Sequence, residues 1–292
     1  MQQGSDLSDM VVNQQYDTAS PQKAKDAWRV RLAQDVLMGQ GEMAGRLQQI
    51  GQAIAVGVLG KRALNDYMGK VYETHSAAYD PSHYQLDCEE KILPLLVKHH
   101  SHGQLLSAFC GQGREAKFFA EQGFDVTGID DNKSMIDGAI AYARNAGFKA
   151  RFELANFLDY APESPYDVVY LSPWMYDTFP DPADRIQLLQ QCATMLAPGG
   201  VVVISYVQLT KPERLWEKAR HWLSVTAAAL SGSDRRPRFG DRFYVGIFHH
   251  FFVPGELEAE VDTAGLQILD QQTSANGLFN FCILSGGAAS CS

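Results

Sequence analysis

Short apolar runs alternate with amphipathic stretches through the middle of the chain. The apolar runs lie at 105–109, 125–129, 150–154, 167–171 and 201–206. Between them, apolar residues recur at helical spacing, and Gly or Pro stands near the ends of these stretches. Strands that alternate with helices of about 10–15 residues predict a parallel sheet with helices on both faces. Right-handed crossovers then place the ligand loops at the carboxyl ends of the strands.

Two further apolar runs, 266–271 and 278–284, close the pattern. Residues 272–277 join them, which is too short for a helical crossover, so these two strands must pair antiparallel. The sequence therefore predicts an α/β fold. We expect a Rossmann-like, doubly wound, seven-stranded sheet that ends in an antiparallel hairpin.

The remaining segments surround this core. Residues 1–20 are polar and Gln-rich without a period, which predicts a mobile tail. Residues 21–100 predict an N-terminal helical extension that caps the core. We assign the core to 101–207 and 243–285. The insertion at 208–242 contains one amphipathic helix.

Composition narrows the class of protein. The 292 residues carry a net charge of −9, which argues against broad nucleic-acid binding because that needs a basic face. Five scattered cysteines without C-x-x-C spacing indicate reduced thiols in a cytoplasmic protein. Residues 1–22 lack the basic start and apolar core of a signal peptide. No apolar run approaches the ~20 residues of a membrane span.

A Gly-rich turn follows the first apolar run at Gly111 and Gly113. Glycine permits a tight turn and a close ligand approach, and the start of the next helix favours a negative group. Asp130 closes the second run, where a carboxylate can accept hydrogen bonds from a ribose diol. This spacing alone fits a dinucleotide-binding fold equally well.

The terminal hairpin separates the two alternatives, since a dinucleotide-binding domain would keep its sixth strand parallel. With the hairpin, the chain resembles the class I S-adenosylmethionine-dependent methyltransferases from about residue 72 to 285. Four segments beyond the glycine loop are similar to the family's motifs: 126–130, 152–157, 196–200 and 251–266.

The resemblance implies S-adenosylmethionine as cofactor and S-adenosylhomocysteine as product. The methionine carboxylate would lie over the glycine loop, the ribose would meet Asp130, and adenine would sit near Asn156. The implied cofactor contacts are Tyr79, Phe109, Cys110, Gly111, Gln112, Gly113, Arg114, Asp130, Asp131, Asn156, Phe157 and Leu171. Phe109 stands where the family has a glycine, and Asn156 stands where it commonly has Asp.

Three segments carry the candidates for the acceptor side: 72–84, 171–177 and 244–250. Trp174 and Tyr176 would form an aromatic wall suited to a cationic or planar acceptor. A histidine near its ordinary pKa suits a general base, but neighbouring strand residues face opposite ways, so only one of the pair at 249–250 can serve. The catalytic candidates are Tyr79, Tyr176 and His249, and the substrate contacts are Tyr84, Trp174, Tyr176 and His250. No metal site is predicted.

The sequence thus predicts methyl transfer from S-adenosylmethionine to an oxygen or nitrogen of a small-molecule acceptor. We expect the helical cap and the insertion to build the acceptor pocket. We expect no nucleic-acid partner and no membrane span, and a homodimer contact through the N-terminal helices. Two alternatives stay open: a protein or nucleic-acid methyltransferase that docks through the insertion, and a catalytically silent cofactor-binding subunit.

Overall fold

The computed structural model describes residues 42–74, 87–244, 246–273 and 279–286. The chain divides into two compact units, Met1–Gly51 and Gln52–Ser292. The sheet and all contacts discussed below lie within the second unit. The helices of the described residues are α1 (Glu42–Val58), α2 (Lys61–Thr74), α3 (Asp87–Leu96), α4 (Arg114–Glu121), α5 (Lys133–Ala146), α6 (Pro182–Thr194), α7 (Leu215–Ser231) and α8 (Glu256–Thr263).

A seven-stranded sheet forms the centre of the fold. Its strands are β1 (Gly103–Ala108), β2 (Phe124–Asp130), β3 (Arg151–Leu154), β4 (Tyr166–Leu171), β5 (Leu196–Val207), β8 (Leu266–Thr273) and β9 (Phe279–Gly286). Two further strands, β6 (Asp241–Tyr244) and β7 (Ile247–His250), lie outside this sheet. The order is β3-β2-β1-β4-β5-β9-β8. Strands β1 to β5 are parallel, and β9 pairs antiparallel with both β5 and β8. The predicted Rossmann-like sheet and its terminal hairpin are confirmed.

Helices cover both faces of the sheet. Successive side chains of a strand point to opposite faces, so Leu105 and Leu106 of β1 enter different apolar clusters. Helix α6 begins as the sequence predicts: the Asp181 side chain accepts a hydrogen bond from the Ala183 N–H at 3.0 Å, with Pro182 as the first helical residue. This local signal fixes where α6 starts, and the sheet then places the loops along one edge.

Two segments pack differently from what the predicted domain boundaries imply. Helix α3, assigned to the cap, packs Ile92 and Leu96 into the core cluster on one face of the sheet. Strands β6 and β7 form a separate two-stranded antiparallel sheet, although 243–250 were assigned to the core. The insertion after β5 therefore extends at least to residue 250. Among the helices in the described ranges, none has both the length and the apolar character needed to cross a bilayer.

A buried ion pair joins α6 to α8. Arg185 is fully buried, and its Nε donates to Glu260 Oε2 at 2.9 Å. The Tyr176 hydroxyl donates to the same oxygen at 2.7 Å, and Arg185 Nη1 donates to the Phe179 carbonyl at 2.8 Å. The guanidinium carbon also lies 5.0 Å from the centre of the Phe252 ring. Every strong polar group here has a charged or hydrogen-bonding partner, as burial requires.

A second network holds the insertion against the start of α8. His250 Nδ1 lies 2.8 Å from Asp241 Oδ1, and its Nε2 lies 3.0 Å from Glu256 Oε2. Arg235 pairs with the other oxygen of Asp241. Burial lowers the pKa of His250, but the hydrogen bonds to the two carboxylates outweigh it, so the pKa is raised. The protonated imidazole is thus the form that fits this site.

This network predicts a pH-dependent contribution to stability. Because the folded state raises the pKa of His250, its contribution is complete below about pH 6.5 and is lost as the pH rises through the folded value. We expect the difference in unfolding free energy between wild type and His250→Gln to be larger at pH 5.5 than at pH 8.5. Urea unfolding of both proteins at both pH values measures it. A difference that does not change with pH would contradict this assignment.

Candidate functional site

The glycine loop between β1 and α4 has a left-handed backbone at three positions. The φ angles are 57° at Phe109, 50° at Gly111 and 81° at Gly113. Such angles are costly for a residue with a side chain, which explains why the resembling family has glycine at the position of Phe109. The Phe109 ring packs against Phe157 and Phe179, with centroid distances of 5.3 and 6.1 Å. The side chain therefore packs against other aromatic rings.

Asp130 at the end of β2 is tied to this loop. Its Oδ2 accepts from the Gly111 N–H at 3.0 Å, and its Oδ1 accepts from the Asn132 N–H at 2.9 Å. Burial raises the pKa of Asp130, although both N–H donors oppose the shift. Each oxygen keeps a further lone pair, so the carboxylate can still accept from a ribose hydroxyl.

The loop leaves room for a ligand above Gly111. A Cβ added there would meet no atom within 4 Å. However, the Gly111 N–H is given to Asp130, and the Gly113 N–H donates to the Cys110 carbonyl at 2.9 Å. These two donors are engaged within the protein, and the role of the loop toward a ligand carboxylate stays a prediction. Cys110 is buried, and burial raises the pKa of its thiol, so the thiolate form is disfavoured.

Arg114 at the start of α4 pairs with two carboxylates of the protein. Its Nη2 lies 3.0 Å from Glu89 Oε1 and 2.5 Å from Glu115 Oε1. Burial, together with the charge of Glu115, raises the pKa of Glu89 to about 7. Arg114 was predicted to meet the cofactor, and these carboxylates already engage its guanidinium.

Three buried polar atoms, one of them in this cluster, lack a hydrogen-bond partner in the part of the chain that the structure describes. They are Glu89 Oε2, Ser107 Oγ of β1 and Ser172 Oγ directly after β4. Strands β1 and β4 are neighbours, so both serines lie at the carboxyl edge of the sheet. Buried polar atoms are almost always satisfied, and such exceptions fit a site that a polar ligand completes. An ammonium group, such as the one on the methionine end of the predicted cofactor, would suit these acceptors.

The raised pKa of Glu89 predicts that a neutral replacement gains stability relative to wild type at high pH. The folded state raises its pKa, so its contribution to stability is present below about pH 4.5 and is lost as the pH rises through about 7. We expect Glu89→Gln to become more stable relative to wild type between pH 5 and pH 8.5, by about 1–3 kcal/mol. Urea unfolding at both pH values measures this change. Glu90 is exposed, so Glu90→Gln is the control. If the unfolding free energies of the two variants changed equally with pH, the assignment would be refuted.

The predicted adenine side lies at the end of β3. Asn156 is exposed, and its Oδ1 accepts from the Leu158 N–H at 3.0 Å at the start of a short 3-10 helix. Leu154 and Leu158 are exposed apolar side chains on either side of it, which the sequence analysis missed. Phe157 and Leu171 are buried, so only their backbones can meet a ligand. Asp131 is exposed and follows Asp130 directly.

On the acceptor side, Trp174 has a left-handed backbone with φ 71°. Its N–H donates to Ser205 Oγ at 2.9 Å, and its ring lies 4.3 Å from Phe279 and 6.0 Å from His249. Strained non-glycine residues cluster at functional sites. A cavity of about 10 Å³ lies here, lined by Cys88, Trp174, Asp177, Ser205, Tyr206, Val207, Phe279 and Phe281.

Two predicted acceptor-side residues, Tyr176 and His250, lie in internal networks. Tyr176 is fully buried, its hydroxyl is bonded to Glu260, and its ring stacks on Phe252 at 5.7 Å. Burial raises the pKa of its hydroxyl well above the usual value. His250 is fully buried between Asp241 and Glu256. Neither side chain is placed to touch a substrate, because each forms part of an internal network.

The sequence analysis missed Asp177. Its Oδ1 lies 2.7 Å from His249 Nδ1, and its Oδ2 accepts from the Val207 N–H at 2.9 Å. Both side chains are buried. The available signal was an acid three residues after Trp174, in a loop already assigned to the acceptor side.

The remaining candidates depend on the segment before α3. Tyr79 and Tyr84 lie outside the described residues. Helix α2, which ends just before that segment, lies close to the acceptor side: the Tyr72 hydroxyl is 3.8 Å from Met175 Sδ, and the Tyr67 hydroxyl donates to the Gly246 carbonyl at 2.7 Å. In the described ranges, no group of three or more His, Cys, Asp or Glu side chains is arranged to hold a metal ion.

Comparison with known proteins gives three kinds of similarity. A family described as methyltransferase domain matches residues 81–271. The ubiquinone biosynthesis O-methyltransferase of Aliivibrio fischeri (strain MJ11) is 35% identical over 104 residues, which are 35% of this chain and 43% of that protein. The enzyme of the same name from Xanthomonas campestris pv. campestris (strain B100) is 26% identical over 171 residues, 57% of this chain and 64% of the relative.

In both cases, the matched part is less than two thirds of the relative's length. A solved structure of an S-adenosylmethionine-dependent methyltransferase from Clostridium acetobutylicum ATCC 824 superposes with a TM-score of 0.54 at 12% identity. The superposition covers 74% of this chain and 99% of that one. At this identity the likeness concerns the fold.

Proposed function

Since the chain belongs to the class I S-adenosylmethionine-dependent methyltransferase family, we propose that it transfers the methyl group of S-adenosylmethionine to a small-molecule acceptor. The atom that receives the methyl group is an oxygen or, as the second choice, a nitrogen. The ubiquinone O-methyltransferases with which the chain shares sequence support a small acceptor and an oxygen. The family match at residues 81–271 spans most strands of the sheet and supports S-adenosylmethionine as the cofactor.

The observation that carries the proposal is the glycine loop tied to Asp130, together with unsatisfied serine hydroxyls at the carboxyl edge of the sheet. Asp130 holds the Gly111 N–H and keeps lone pairs for a ribose hydroxyl. Ser107 and Ser172 offer hydroxyl oxygens at the carboxyl edge of the sheet. When bound, the cofactor supplies an electrophilic methyl group on its sulfonium. The protein then has to bind and orient the acceptor, because a near-attack geometry accounts for much of such a reaction rate.

Trp174 supports a planar acceptor. Its ring is half-buried and stands beside His249 at the edge formed by the ends of β4 and β5. A planar ring can stack on such an aromatic face, and this contact would hold the acceptor atom in place. The N-terminal helix α2 lies close to the same region through Tyr72.

The test is an assay of the full chain with S-adenosylmethionine carrying a labelled methyl group. A panel of phenols, catechols and amines is offered singly, and methylated products and S-adenosylhomocysteine are measured by mass spectrometry. We expect acceptor-dependent S-adenosylhomocysteine and a phenolic product. Absence of any methylated product across the panel, with S-adenosylhomocysteine no higher than without acceptor, would contradict the proposal.

A further inference from the structure

His249 and Asp177 form a buried pair next to the strained Trp174, at the edge of the sheet where the acceptor is expected. We propose that His249 is the general base that takes the proton from an acceptor hydroxyl on an aromatic ring, and that Asp177 is its positioning residue. This inference rests on the proposed function and names the chemistry of its acceptor.

The two adjacent histidines differ in what their ring nitrogens contact. His250 has a carboxylate beside each nitrogen, Asp241 at Nδ1 and Glu256 at Nε2. Among the described residues, the hydrogen bond of the His249 ring is the one between Nδ1 and Asp177. His249 is therefore the member of the pair whose second nitrogen can serve a substrate.

Asp177 sets the tautomer of His249. A carboxylate accepts only, so the neutral imidazole carries its proton on Nδ1 and its lone pair on Nε2. The other oxygen of Asp177 accepts from the Val207 N–H of β5 at 2.9 Å, which fixes the carboxylate to the central sheet. The base is thus oriented by a third group, as in other histidine-dependent sites.

Aromatic rings flank His249 where it approaches the surface. The Trp174 ring centroid lies 6.0 Å from it, and that of Tyr244 lies 6.4 Å from it. Tyr244 is 43% exposed, and 4% of the His249 side chain remains accessible. An acceptor ring between the two aromatic side chains would therefore bring its hydroxyl to the imidazole edge.

The reaction balances without a further reagent. The acceptor oxygen forms a bond to the methyl carbon, and the carbon–sulfur bond breaks with its electron pair remaining on sulfur. The acceptor proton moves to His249 Nε2 and is released to solvent after the products leave. The Asp177 carboxylate, which contacts Nδ1, stabilises the imidazolium that forms in this step.

In the described ranges, the titratable side chains in contact with His249 include Asp177 and Tyr244. Asp177 approaches from the loop after β4, and Tyr244 from β6. Arg242 is the cross-strand neighbour of His249, and its guanidinium is paired with Glu217 and stacked over Phe251.

The experiment compares two phenols with different acidity, 4-methylphenol and 4-nitrophenol, as acceptors for the full chain. The kcat/KM is measured from pH 5 to 9, and the affinity for S-adenosylmethionine by calorimetry. We expect His249→Gln to lower kcat for 4-methylphenol about 100-fold or more, with cofactor affinity within about twofold. The defect should shrink with 4-nitrophenol at pH 8.5, because that acceptor is already ionised. Asp177→Asn should show the same pattern, because it disturbs the tautomer without removing the base.

The wild type gives a readout that does not depend on whether these buried variants fold. Its kcat/KM should fall on the acid side for 4-methylphenol as the base becomes protonated. His102→Gln, an exposed histidine at the other end of β1, is the matched control and should keep the wild-type profile. Methylation of amines but neither phenol, or an unchanged profile and rate in folded His249→Gln, would overturn the inference. Failure of wild type to use any acceptor would instead count against the proposed function.

Discussion

Replacing Glu260 by Gln is expected to lower the free energy of unfolding by about 3–5 kcal/mol. Glu260 is buried and holds the guanidinium of the fully buried Arg185 as well as the hydroxyl of Tyr176. Without the carboxylate, Arg185 keeps the Phe179 carbonyl and the Phe252 ring but no counter-ion in this cluster. A charge left unpaired in the interior is the costly outcome, more than the loss of the pair itself.

Urea unfolding, followed by circular dichroism, measures the loss at pH 7. The double variant Arg185→Met with Glu260→Leu removes both charges, and we expect it to be more stable than Glu260→Gln alone. The surface pair Lys133–Asp137 provides a matched control, since both side chains are mostly exposed. Asp137→Asn should change stability by less than about 0.5 kcal/mol. A similarly small loss for Glu260→Gln would show that this pair does not hold α6 to α8.

Replacing Asp130 by Ala is expected to weaken the binding of S-adenosylmethionine by about 1–3 kcal/mol, or about 5- to 150-fold. The carboxylate accepts the Gly111 and Asn132 N–H groups, so its removal frees the glycine loop as well as the proposed ribose contact. Two physical effects therefore act in the same direction on the affinity.

Isothermal titration calorimetry with S-adenosylmethionine and S-adenosylhomocysteine measures this effect. Asp125→Ala is the matched control, because Asp125 lies at the opposite end of the same strand and is exposed. We expect the control to bind both ligands as the wild type does. Equal affinity of Asp130→Ala and wild type would refute the ribose assignment and leave Asp130 as a purely structural tie of the loop.

The fold was predictable where the controlling interactions are local. The alternation of apolar runs and the short link at 272–277 were enough for the sheet and its hairpin. The pairing of β9 with both β5 and β8 agrees with that reasoning. The Asp181–Pro182 signal likewise gave the start of α6, because its capping hydrogen bond spans two residues.

The acceptor side was less predictable because its side chains are decided by distant partners. Tyr176 was expected to face a substrate, but Glu260, 84 positions away, binds its hydroxyl in the interior. The partner of His249 is 72 positions away. Aromatic and histidine residues serve equally well in a core and in a pocket, so residue type alone does not distinguish the two.

Phe109 shows a further limit of the sequence. A left-handed backbone is not expected at a phenylalanine, and motif comparison showed only that a glycine was replaced. Its packing against Phe157 and Phe179 offers a compensation for the strain, and both partners come from other loops. With Phe109 at this position, the space above Gly111 is still open.

The most direct test of the central claim is calorimetric titration of the full wild-type chain with S-adenosylmethionine and S-adenosylhomocysteine. We predict one site per chain for each ligand, competition between the two, and affinity in the range of about 1 μM to 1 mM that is usual for enzyme substrates. No binding heat and no thermal stabilisation by either ligand at several millimolar would contradict the account of the glycine loop as a cofactor site.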